Sequence, residues 1–196
     1  LVATSSQRTF DPLPCLFAAR ALRDFGDSFV AILLPAYLLA LGFTPLAVGV
    51  LATASLLGSA CLTLGAGWLG ARCGHRRLLL LAAGLMVASG LAFAAFRDYA
   101  VLLVVAFVGT INPSAGNVSV FVPLEHAALA REAGDQNRTR MFARYSLAGA
   151  LAAALGSLIA GAPELTAPLG VNRLTAMRAM FVLYALLGVV GRYLYT

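Results

Sequence analysis

The sequence predicts an all-α membrane protein built on six transmembrane helices, and three observations carry that prediction. Hydrophobic residues fill 61% of the 196 positions and charged residues only 11%, with a mean hydropathy of +0.88. A soluble domain is nearer 45–50% apolar and about 25% charged. The apolar residues fall in six runs, each near the ~20 residues that cross a hydrocarbon core. The charges gather between those runs, and lipid leaves a spanning backbone no hydrogen-bond partner but itself.

The runs cover roughly 25–42, 46–69, 78–96, 99–123, 144–162 and 176–195. Thr44-Pro45 suits the start of the second helix, a capping hydroxyl followed by a residue with no donor to orphan. The third run is uncharged from Leu78 to Phe96. Asp98 can cap the fourth helix, and Ala162-Pro163 ends the fifth. Residues 1–24 read as a cytoplasmic N-terminal segment and 25–196 as the bundle, with a polar cytoplasmic loop at about 124–143 and a surface helix predicted within it at Leu124–Ala133. The chain begins at Leu1 and stops at Thr196 directly after an apolar run, so it reads as a fragment or a truncated reading frame.

Orientation follows from the fourteen basic residues, all arginine. With the first span starting inside, eleven arginines face the cytoplasm and three (Arg97, Arg173 and Arg178) the outside. The positive-inside rule therefore puts both ends in the cytoplasm, and the expected home is a bacterial inner membrane. The net charge of +6 forms no basic patch with interleaved aromatics, so nucleic acid is not a partner. Three cysteines (Cys15, Cys61 and Cys73) without ligand spacing read as free packing residues. Sequons at Asn117 and Asn137 are rejected, one at membrane depth and the other facing the cytoplasm.

The gap between the second and third helices runs Gly67-Trp68-Leu69-Gly70-Ala71-Arg72-Cys73-Gly74-His75-Arg76-Arg77. It resembles the signature loop of the major facilitator superfamily, Gly-x-Leu-x-Asp-Arg-x-Gly-Arg-Arg/Lys. Gly67, Leu69, Arg72, Gly74, Arg76 and Arg77 match in register. Ala71 replaces the family aspartate and His75 a common arginine. The glycines permit a tight turn and close backbone approach. The arginines can latch helix C-termini or a carboxylate on a neighbouring helix, or serve only as a positive-inside anchor. The resemblance implies that this chain is the N-terminal six-helix bundle of a transporter, with a second six-helix bundle as its partner and the substrate cavity between them.

The first helix carries Arg20, Arg23, Asp24 and Asp27, whose i,i+4 spacing lets Arg20 pair with Asp24 and Arg23 with Asp27. Ionisable groups at membrane depth are costly and often functional. By resemblance, Asp24 and the deeper Asp27 are candidates for proton coupling or for lining the cavity; an interfacial ion pair is the other reading. Asn112-Pro113-Ser114-Ala115-Gly116-Asn117 kinks the fourth helix. Asn112 and Asn117 either contact substrate, as the resemblance implies, or satisfy carbonyls freed at the kink. The family's intramembrane arginine is absent from this helix. Glu125 and Arg144 face each other across the cytoplasmic mouth, as a contact or as a solvated pair. Gly149, Ala153, Ser157 and Gly161 make a small-residue face on the fifth helix. It only faintly resembles the glycine-rich motif of drug/proton exchangers, and packing is the reading taken.

No P-loop, nucleophile elbow or zinc-protease helix occurs in the sequence, so neither an enzyme nor a cofactor is expected. Two histidines, both in loops, build no usual metal site. The function implied is secondary active transport of a small organic solute, as proton-coupled drug or metabolite efflux. Two alternatives stay open: a membrane subunit of an ATP-driven transporter, and a non-transporting membrane fragment or interaction protein.

Overall fold

The computed structural model describes residues 12–70, 75–111, 138–166 and 170–194. Among them are six long helices: α1 (Pro12–Ala40), α2 (Pro45–Gly70), α3 (His75–Ala95), α4 (Tyr99–Val108), α5 (Arg138–Ile159) and α6 (Arg173–Leu194). A single helical turn, Ala162–Leu165, lies between α5 and α6. The all-α membrane fold is therefore as predicted. Four stretches are long and apolar enough to cross a bilayer: Pro45–Trp68, Arg77–Ala95, Thr139–Leu165 and Arg173–Leu194. α4 is apolar over its ten described residues, and the rest of its predicted span lies outside the described residues.

Several helices start earlier than predicted. α1 begins at Pro12 rather than near residue 25, and α5 at Arg138 rather than near 144. Hydropathy registers only the part of a helix inside hydrocarbon. The hydrogen-bond ladder continues into the interface, and at 29 residues α1 is about 43 Å long against a core of ~30 Å.

The turns follow local chemistry. α1 ends in a Schellman motif: Gly42 has φ +92°, its N–H donates to the Leu39 carbonyl, and the Phe43 N–H reaches back to Leu38 at 3.2 Å. Thr44 then caps α2, its hydroxyl accepting from the Ala47 N–H at 3.3 Å. Asp98 caps α4, its carboxylate accepting from Ala100 and Val101 at 3.0 and 3.1 Å. Both caps stand where the sequence placed them.

Packing pairs the helices as α1 with α5, α2 with α4, and α3 with α6. That set is unchanged when the first three helices are exchanged for the last three in order. The closest crossings obey the same exchange. A Cβ on Gly58 of α2 would collide with the Phe107 carbonyl of α4, and one on Gly156 of α5 would collide with the Phe25 carbonyl of α1. Gly90 of α3 faces the Ala185 backbone, while Gly188 of α6 faces that of Val87. Three spans is an odd number, so a second copy must enter from the opposite side. The bundle is thus an inverted repeat about an axis in the membrane plane. Without a hydrophobic drive between helices in lipid, such close approach at small residues is what holds them together.

α1 also packs extensively on α6. The core fills that seam. Phe93 and Phe181 stack at 5.4 Å, Tyr37 meets Phe181 edge-on at 4.9 Å, and Phe29 meets Tyr184 at 6.3 Å. The Tyr37 hydroxyl donates to the Phe93 carbonyl at 2.9 Å, with both residues fully buried. Tyr37→Phe is expected to lower stability by ~1 kcal/mol in equilibrium unfolding from detergent, the usual net worth of one such bond. No change would mean that the carbonyl finds another donor.

Candidate functional site

Asp27 lies near the midpoint of α1, in the first turn of its apolar run. It is 6% exposed, and its Oδ1 accepts the hydroxyl of Tyr184 from the middle of α6 at 2.8 Å. The Thr110 hydroxyl, just past the end of α4, stands 3.5 Å from the Tyr184 oxygen, and either can donate. One carboxylate and two hydroxyls from three helices thus form a polar thread through an apolar core. Each polar atom would be expensive here without the others.

On the N-terminal side of Asp27 the thread continues into charge. Arg20 pairs with Asp24, Nε to Oδ2 at 2.5 Å, and its guanidinium lies 5.0 Å over the Tyr145 ring of α5. Arg23 approaches Asp24 at 3.7 Å. Arg23, Asp24 and Asp27 are all buried. Two arginines and two aspartates give a cluster of zero net charge. On the C-terminal side of Asp27 lie Phe29, Leu33, Leu34 and Tyr37, all buried. Asp27 therefore marks the boundary between a charged half and an aromatic half of the bundle.

The Arg20–Asp24 pair is found as predicted. The predicted partner of Asp27 is not: Arg23 leans on Asp24, and Asp27 takes Tyr184. The reason is rotational. α1 turns Asp27 toward α6, where a hydroxyl is already buried at the same depth. That direction also points Asp27 into the bundle rather than onto an open face.

The signature loop is only partly within the described residues. Leu69 lies in the last turn of α2 and Arg76 in the first turn of α3, while Arg72 and Gly74 lie outside the described residues. Arg77 is exposed. Gly67 lies within α2. It is helical, with nothing among the described residues within 4 Å of where a Cβ would sit, because α2 runs on to Gly70 before the chain turns. Asn112, Asn117 and Glu125 lie outside the described residues, as does the predicted surface helix at 124–133; Arg144 is exposed on α5.

Sequence reasoning missed Tyr184 and Thr110. The one signal for Tyr184 was a hydroxyl at the centre of the apolar stretch between Arg178 and Arg192. The packing face of α5 is also shifted: Gly149, Gly156 and Ala160 are buried, whereas Ser157 and Gly161 are exposed. Elsewhere, an apolar recess of about 370 Å³ opens between α2, α3 and α4, lined among others by Gly58, Leu62, Ala66, Leu78 and Leu85. It brings no charged group to bear and is separate from the Asp27 thread.

A family model described as Major Facilitator Superfamily matches residues 16–195. A protein of Saccharomyces cerevisiae described as "Uncharacterized membrane protein YJR124C" is 30% identical over 146 residues, which is 74% of this chain and 33% of that protein. The chain thus spans about a third of the length of that relative.

Proposed function

The chain belongs to the major facilitator superfamily, and from that premise we propose that it is the N-terminal six-helix bundle of a proton-coupled secondary transporter for a small organic solute. The observation that carries this reading is Asp27, a carboxylate buried at mid-helix and held by a hydroxyl rather than by an arginine. A carboxylate locked to a guanidinium is a poor proton acceptor. One held by a hydroxyl can exchange a proton at small rearrangement, and its burial links its charge to the packing around it. Family membership weighs against the ATP-driven alternative. We place both ends of the bundle in the cytoplasm of a bacterial inner membrane, with efflux as the direction.

Substrate would lie outside this bundle, against the faces of α2 and α5. Leu46, Leu57 and Leu64 on α2, and Leu147, Leu151, Leu155 and Leu158 on α5, are exposed. These two helices are exchanged by the internal symmetry, as a second bundle docking across both would require. The partners are therefore lipid, protons, the solute and that second bundle.

The test uses the full-length protein in vesicles with an imposed pH gradient and a panel of small organic solutes. At least one solute is expected to accumulate with the gradient. Asp27→Asn should abolish gradient-driven accumulation while keeping downhill exchange of that solute. Unchanged accumulation in Asp27→Asn would remove Asp27 from coupling.

A further inference from the structure

The polar thread reaches from the α1–α6 seam to the end of α4, which packs mainly on α2. Asp27 is on α1, Tyr184 on α6 and Thr110 at the end of α4. Thr110 precedes Asn112-Pro113, where the sequence interrupts the fourth helix. The internal symmetry shows that the thread is an addition to the scaffold. The position equivalent to Asp27 is Gly109, and the one equivalent to Tyr184 is Met86. At Gly109 the scaffold closes without a carboxylate, against the Ser89 hydroxyl.

We propose that Tyr184 is a positioning residue that transmits the charge state of Asp27 on α1 to the seating of α4 through Thr110. The chemistry is a reversal of donor direction. A carboxylate can only accept, so charged Asp27 takes the Tyr184 proton, and Thr110 must then donate to the Tyr184 oxygen. Protonated Asp27 carries its own O–H and can donate to that oxygen, which turns the Tyr184 hydrogen toward Thr110. No covalent bond changes other than that of the incoming proton on Asp27. At 3.5 Å the Thr110–Tyr184 contact is at the slack limit of a hydrogen bond. Reversing the donor therefore draws α4 in or lets it out.

Charged and titratable neighbours of the thread among the described residues come from several helices. On α1 they are Arg20, Arg23 and Asp24, and on α6 Tyr184 itself. From α5 comes Tyr145, which lies under Arg20, and α4 brings the Thr110 hydroxyl. Further along α6, Arg192 reaches toward Gly84 of α3, away from the thread.

This inference rests on the reading of Asp27 as a proton site, and the experiment separates the two. The full chain, with Cys15, Cys61 and Cys73 replaced by serine, carries spin labels at two exposed positions, Val104→Cys on α4 and Val189→Cys on α6. In lipid nanodiscs the label separation is measured by double electron–electron resonance at acidic and at alkaline pH. Infrared difference spectra follow the protonated carboxyl band that Asp27→Asn removes.

The separation is expected to change with pH by about 1–2 Å, the scale of helix shifts in switching proteins. Asp27→Asn should hold it at the acidic value. Tyr184→Phe and Thr110→Val should each abolish the pH response while the Asp27 band still titrates, and Thr110→Ser should restore it. A parent-like response in Tyr184→Phe or Thr110→Val, with the band titrating, overturns the coupling and leaves the proton site standing. Absence of an Asp27-dependent band at every pH overturns the proton site itself, and the coupling with it.

Discussion

Gly156→Val is expected to prise α5 off α1 and cost the bundle more stability than any other single glycine replacement except its symmetry mate, Gly58→Val. A Cβ at Gly156 would lie 2.9 Å from the Phe25 carbonyl carbon, and one at Gly58 would lie 2.6 Å from that of Phe107. Real Cβ atoms do not come so close. The opposing atoms are backbone, so no rotamer change relieves the clash and the helices must separate. Core overpacking ordinarily costs ~1–3 kcal/mol, and a clash against backbone belongs at or above the top of that range. Separation also forfeits dispersion contacts along the whole crossing, which is the main attraction available between helices in lipid. The control is Gly49→Ala, where nothing lies within 4 Å. It should be neutral or stabilising by up to ~1 kcal/mol, as helix propensity dictates. Equilibrium unfolding in detergent would check all three. Parent-like stability in Gly156→Val would mean that the crossing is not as close as described.

How far these features could be read from the sequence depended on whether the physics was local. The Thr44 and Asp98 caps and the Arg20–Asp24 pair involve residues within four positions of one another, and each could be read directly. The small-residue face of α5 was read correctly as packing but in the wrong register. A strict spacing of four advances about 40° per step on a helix of 3.6 residues per turn, so a stripe from Gly149 has rotated about 120° by Gly161. Burial instead follows Gly149, Gly156 and Ala160, with Ser157 and Gly161 left outside. Asp27 was recognised as unusual because depth alone makes it so. Its partner was out of reach: Tyr184 lies 157 positions away, and nothing in either helix specifies that α1 packs on α6. The inverted repeat was likewise hidden. It resides in which glycine meets which backbone, and the paired segments share little beyond short matches such as Leu57-Gly58-Ser59 with Leu155-Gly156-Ser157.

Asp24→Leu is expected to destabilise the bundle by several kcal/mol, and Arg20→Met/Asp24→Leu together by less than Asp24→Leu alone. Asp24 is 3% exposed and stands between two guanidinium groups, Arg20 at 2.5 Å and Arg23 at 3.7 Å. Removing it takes the carboxylate away from the part-buried Arg20 and the buried Arg23. Breaking a buried pair from one side usually costs ~3–5 kcal/mol, because the stranded charge keeps its desolvation penalty and loses its compensation. Removing both partners strands one charge fewer, and an apolar pair can be nearly neutral. α5 is built around this pair. A Cβ on Gly149 would touch the Asp24 carboxylate and lie 2.8 Å from the Arg20 Nε, so the glycine is what lets α5 close over the ions. A double-mutant cycle on unfolding free energies isolates the coupling. A surface pair would show less than ~1 kcal/mol, weakened further by salt. This one should show more and be nearly insensitive to salt, since its members are shielded by α5 and the body of the bundle. A coupling near zero, or one that vanishes at high salt, would place the cluster in contact with water and remove the charged wall against which Asp27 is set.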